Sequence, residues 1–162
     1  PTIVQPPPPP PEPKEREVKL FFADNDASSL LPEKRFIRLG SGIRADAVAL
    51  MEELIKGPQL GGLSPTIPAD TRLLDAFNMA DVLVLDFSQE LQANHPGGSA
   101  GELTTVYSIV NTMTQNLRGI KKVQILIEGQ EIDSLAGHLD LTRPLVPDTK
   151  WMKTLPRQAS AS

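Results

Sequence analysis

Ser99 sits in Gly97-Gly98-Ser99-Ala100-Gly101. That stretch fits G-x-S-x-G, the turn that presents a nucleophilic serine in α/β-hydrolases. Asp133 and His138 follow in the order that such a triad uses. The same serine opens Ser99-Ala100-Gly101-Glu102, which fits S-x-x-E, the capping box that starts a helix. In the first reading Ser99 Oγ attacks a carbonyl. In the second it accepts the Glu102 backbone N–H, while Glu102 reaches back to the N–H of Ser99. Gly98-Ser99-Ala100-Gly101 also spells GxxG, the loop by which KH domains clamp a nucleic-acid backbone. His95 and His138 are the two histidines and the natural metal-ligand candidates. Asp24-Asn25-Asp26 is acidic enough to suggest calcium, but the EF-hand pattern fails at its Gly and at its distal Glu. That triplet reads as a turn.

The positioning elements decide among these chemistries. A nucleophile elbow needs a strand running straight into the serine. The strand before Ser99 reads as ending near Phe87, well short of it, and the body is too short for a hydrolase sheet. The KH clamp needs two helices and a basic groove, whereas an irregular loop precedes Ser99 on an acidic chain. The histidines lie far apart, and neither has a second ligand at i+4. The cap needs no further parts, so Ser99→Ala is expected to cost about 1 kcal/mol of stability and no activity. The chain reads as non-enzymatic, with no catalytic, cofactor-binding or metal-binding residue assigned and no cofactor expected.

Composition narrows the partners. A net charge of −4 argues against nucleic acid, where a basic face supplies most of the affinity. Aromatics at 4% leave little for base stacking. Cysteine is absent, which removes disulfides, thiolate metal sites and thiol catalysis. No apolar run is long enough to span a bilayer, and no signal peptide is visible. The first residue is Pro1, so any membrane anchor is expected upstream.

Residues 1–16 read as a proline-rich linker. Six consecutive prolines at 6–11 favour polyproline II. Such a run serves as a semi-rigid spacer, or alternatively as a ligand for a proline-recognising domain. Residues 17–148 read as one domain. Residues 18–23 alternate as a strand, and 36–39 form a second. Residues 44–56 read as a helix, with Ala47, Leu50, Met51, Leu54 and Ile55 in one apolar stripe. Gly57-Pro58 ends it. Residues 72–78 and 82–87 read as a hairpin whose 79–81 turn lacks the usual Gly. Apolar residues on both faces of 82–87 make it a central strand. A loop over 88–98 leads to the helix at Ser99, where Leu103, Val106, Tyr107, Val110, Met113 and Leu117 recur at helical spacing and Gly119 marks the stop. Residues 122–127 form a strand that Glu128-Gly129 turns back. Residues 149–162 read as a tail in which Trp151 faces either the body or a partner. The expected class is α+β: a small mixed or antiparallel sheet with two main helices. Its core order is α-β-β-α-β, after one or two N-terminal strands.

Several stretches together resemble the GerM domain. They are residues 18–24, the helix end Leu54-Ile55-Lys56-Gly57-Pro58, Ile67-Pro68, Thr71-Arg72-Leu73-Leu74 and Leu85-Asp86-Phe87-Ser88. Gly97-Gly98-Ser99-Ala100, Gly137-His138-Leu139-Asp140-Leu141 and Pro144-Leu145 complete the set. The match covers about residues 18–145, and the missing turn glycine is its one departure. The resemblance implies a non-enzymatic domain of sporulation and spore germination, similar in topology to ring-building motifs that pack into oligomers. It implies an extracytoplasmic module of the bacterial envelope, membrane-anchored through an upstream segment. Its expected partner is protein, either a second copy or another envelope protein. A peptidoglycan-binding accessory domain is the alternative.

Overall fold

The computed structural model describes residues 14–26 and 29–148. The expected proline-rich spacer at 6–11 and the tail with Trp151 lie outside the described residues. The element order is β1 (Lys14–Ala23), β2 (Leu30–Leu39), α1 (Ile43–Lys56), β3 (Leu73–Met79), β4 (Val82–Phe87), α2 (Glu90–Ala93), α3 (Ser99–Asn116), β5 (Lys122–Ile127) and β6 (Gln130–Glu131). This is the expected α+β class and the expected core order. Three expectations shift. β1 starts at Lys14 rather than at Val18, and β2 starts at Leu30 rather than at Phe36, because the two strands pair along their whole length from Lys14↔Leu39 to Ala23↔Leu30. The loop before Ser99 contains the short helix α2, whose Leu91 is buried.

Two sheets form. β1 and β2 make an antiparallel ribbon, and the second sheet has the order β3-β4-β5-β6. β4 is central, as its two apolar faces require. It pairs antiparallel with β3 and parallel with β5. The parallel pair is joined through α3, the crossover that parallel strands need. Each hairpin of the larger sheet closes in two residues. Glu128 at φ 49° and Gly129 at φ 77° turn β5 into β6, the positive-φ pair that matches strand twist. Between β3 and β4 the turn falls on Ala80-Asp81, with Ala80 held at φ 53°. The missing glycine therefore leaves the hairpin intact but strains one alanine.

Register defines two faces. Ala76, Leu83, Leu85, Phe87, Val123, Ile125 and Ile127 share the inner face. They enter one buried cluster with Leu50, Met51 and Leu54 of α1 and Val106, Ile109 and Met113 of α3. Val18, Leu20 and Phe22 of the ribbon join the same cluster. Both long helices touch the ribbon and the larger sheet, so they fill the space between them. The expected stripe of α1 is confirmed, with Ala47, Leu50, Met51 and Leu54 buried. α3 differs from a helix with one wet face. Its middle is buried nearly all round, through Thr104, Thr105, Ser108, Asn111 and Thr112 as well as its apolar stripe. Such a helix needs a partner for every polar side chain.

Candidate functional site

The first turn of α3 carries both Ser99 and Glu102. Gly98, not Ser99, is its N-cap, with φ 82°, ψ 151° and no side-chain cap bond. Its carbonyl accepts the Glu102 N–H at 3.0 Å. Glycine tolerates that backbone conformation and serine does not, so the cap shifts one residue upstream and Ser99 is left exposed. The expected capping box does not form.

Glu102 turns the other way. Its side chain is fully buried. Oε1 accepts the backbone N–H groups of His138 and Leu139, each at 2.7 Å, and Oε2 accepts that of Ala136. One carboxylate thus holds the Gly137-His138-Leu139-Asp140 loop against α3 through charge-assisted bonds. Asp133, His138 and Asp140 line one open hollow, but Ser99 does not. The serine, acid and histidine of the hydrolase reading are therefore not brought together.

His95 locks the entry to α3. Its Nδ1 accepts the Gly97 N–H at 3.0 Å. That leaves Nε2–H to donate to Thr105 Oγ1 at 2.9 Å. Thr105 Oγ1 donates to the Thr66 carbonyl at 2.6 Å, Thr66 Oγ1 to Ser108 Oγ at 2.8 Å, and Ser108 Oγ to the Thr105 carbonyl at 2.8 Å. Beside this chain a groove of about 330 Å³ runs between Asp24, Ile67, Pro68 and Gly101. Among the described residues no cluster of three His, Asp or Glu groups is placed to hold a metal ion. Asp24 instead accepts Ser29 Oγ at 2.6 Å, in the expected turn.

The C-terminal half of α3 closes the free edge of β1. Asn116 Oδ1 accepts the Lys19 N–H at 3.1 Å, and Asn116 Nδ2 donates to the Lys19 carbonyl at 2.8 Å. Thr112 Oγ1 accepts the Phe21 N–H at 3.2 Å. The side chains stand in for a neighbouring strand at Lys19 and Phe21, and the Phe21 amide would otherwise be buried unpaired. On β2, Glu33 and Arg35 are both buried and ion-paired. Arg35 also bonds the carbonyls of Glu53 and Gly57 at 3.2 and 3.0 Å. Glu33 Oε1 accepts the Gln59 and Leu60 amides, each at 2.8 Å. Burial disfavours the Glu33 charge, but the Leu60 amide, Arg35 and the Gln59 amide together outweigh it and hold its carboxyl below the usual glutamate value. This pair ties β2 to the end of α1. A lone i, i+2 acid–base spacing in the sequence does not announce it.

A second hollow lies between α1 and β3, the edge strand of the larger sheet. It measures about 430 Å³ and is lined by Val48, Glu52, Ile55, Lys56 and residues 71–73. Thr71 is only 4% exposed, and its Oγ1 has no hydrogen-bond partner among the described residues. Arg44 bridges to Asp75 at 3.0 Å further along the same helix and strand. The groove joins an apolar floor, a rim of both charge signs and one unsatisfied hydroxyl.

No curated protein matches this chain. Among solved structures, a candidate lipoprotein from Clostridium perfringens is 30% identical, with TM-score 0.59, covering 82% of this chain and 87% of that one. The tandem GerMN domains of the sporulation protein GerM from Bacillus subtilis align at 21% identity and TM-score 0.64. They cover 88% of this chain, which spans 47% of theirs. The first GerMN domain of that protein aligns alone at 20% identity and TM-score 0.62, over 83% of this chain and 98% of that one. These two share its fold. The Germane family model, described as sporulation and spore germination, matches residues 19–133. The chain belongs to the Germane family of sporulation and spore germination domains.

Proposed function

We propose that this chain is a non-catalytic protein-docking module of the bacterial envelope. It works by receiving an extended segment of a neighbouring protein, either a second copy or another envelope protein. The observation that carries this reading is the α1–β3 groove, where the start of an edge strand at Leu73, an apolar floor and the unpartnered Thr71 hydroxyl converge. A partner segment laid along an edge strand gains main-chain hydrogen bonds, and a helix beside it supplies side-chain pockets. The envelope location is supported by the candidate lipoprotein of Clostridium perfringens. The proline-rich segment would hold the domain away from its anchor.

The cell-wall alternative calls for a polar groove with an exposed aromatic. The polar hollow over Arg16 and residues 114–120 has no aromatic in its lining, so protein docking is preferred. Co-sedimentation with purified peptidoglycan sacculi separates the two. The expected result is no more retention than an unrelated acidic protein shows, and saturable retention would overturn the docking reading. Light scattering over a concentration range then tells a second copy from a different partner.

A further inference from the structure

The hydrogen bonds around His95 fit only the neutral ring. Thr105 Oγ1 commits its proton to the Thr66 carbonyl at 2.6 Å, so it accepts from Nε2–H at 2.9 Å. Nδ1 keeps its lone pair for the Gly97 N–H at 3.0 Å. A proton added at Nδ1 would face that N–H donor to donor, and the bond would be lost. The start of α3 also opposes a charged ring. Gly101 lies against it, since a Cβ there would stand 3.6 Å from His95 Cε1. The partial positive charge of a helix N-terminus disfavours a cation at that place. The charged groups on the surrounding elements are Asp24 of the ribbon turn, Asp70 and Arg72 before β3, Glu90 of α2 and Glu102 of α3. Ser29 bonds Asp24, Asn94 bonds Asp70 and Ser88 bonds Glu90. Glu102 is turned to the 136–139 loop. The ring bonds only Gly97 and Thr105 among the described residues, so no ion pair holds a charge there.

Little else restrains the segment that the ring holds. Gly97 and Gly98 take φ 87° and 82°, and a Cβ at either would meet no neighbour. Pro96 and Gly98 are exposed. Pro96 and Gly101 both line the groove of about 330 Å³ beside the hydroxyl chain.

We propose that His95 is an acid-released latch. The neutral ring pins Gly97 and closes one side of that groove. A proton taken from solvent at Nδ1 breaks the Gly97 bond, turns the charged ring out to water and opens the groove at Pro96 and Gly101. Thr105 keeps its bond to Thr66, so the hydroxyl chain to Ser108 stays in place. The latch is separate from the α1–β3 groove and does not depend on the docking reading.

Nitrogen-15 NMR of the full chain tests this between about pH 8 and about pH 5, the span over which histidine changes charge. At the upper end the ring shifts should show the Nε2–H tautomer, and the Gly97 amide should be protected from exchange. As the ring takes its proton, the Gly97 protection factor should fall with the same midpoint, by about fivefold or more, the weight of one ordinary hydrogen bond. The Lys19 and Ala136 amides should keep their protection. His95→Asn, whose amide oxygen can stand where Nδ1 does and takes no proton, should keep Gly97 protected throughout. His138→Gln should leave the response as it is. Gly97 protection that stays constant while the ring titrates would overturn the inference. So would a ring that stays neutral down to about pH 5, or an acid-dependent loss that persists in His95→Asn.

Discussion

Ser99 and Glu102 exchange the roles that their spacing assigns them. Gly98 takes the cap and leaves Ser99 exposed, so Ser99→Ala should change stability by less than about 0.5 kcal/mol in thermal unfolding. Glu102 leaves the helix end and fixes three loop amides. Glu102→Ala strands those donors in a buried site and should cost about 3 kcal/mol or more, read as a large fall in Tm. Glu33 supplies a pH signature. Its folded-state value lies below its ordinary 4.5. Its contribution is therefore complete above that value and is lost as pH falls through the lower folded one. Glu33→Gln should flatten the pH dependence of stability below about pH 5 while lowering stability at neutral pH.

Elements were legible where burial follows a period. The stripe of α1 and the alternation of β4 and β5 place both helices and the sheet, because apolar spacing records which face is covered. The length of the ribbon was not legible. Lys14 to Arg16 and Glu33 to Arg35 read as polar chain, yet pairing carries both strands through them. The polar side of α3 was hidden for a similar reason. Thr105 and Asn116 look like a wet face, but distant backbone groups satisfy them. Nothing in the spacing reveals a partner so far along the chain. Asn116→Ala should open the β1 edge, cost about 1–2 kcal/mol and speed amide exchange at Lys19. The β3–β4 turn gives the opposite sign. Glycine at Ala80 would relieve φ 53°, so Ala80→Gly should raise stability by about 0.5–1 kcal/mol in denaturant titration.

At the scale of the molecule, the polar groups gathered around α3 are absorbed in holding ribbon, loop and helix together. Glu102 and His95, from stretches that look chemical in the sequence, are joints of that framework. The surface proposed to meet a neighbour is the groove between α1 and β3. Sequence reading found the family but not the groove, since Val48, Ile55 and Thr71 become neighbours only when α1 packs on β3. A photo-cross-linking residue placed at Val48 or Ile55, in the native cells, tests docking most directly. Protein adducts are expected from both groove positions and not from a probe at exposed Ser99, with mass spectrometry naming the partner. Adducts no more abundant at the groove than at Ser99 would contradict the docking role.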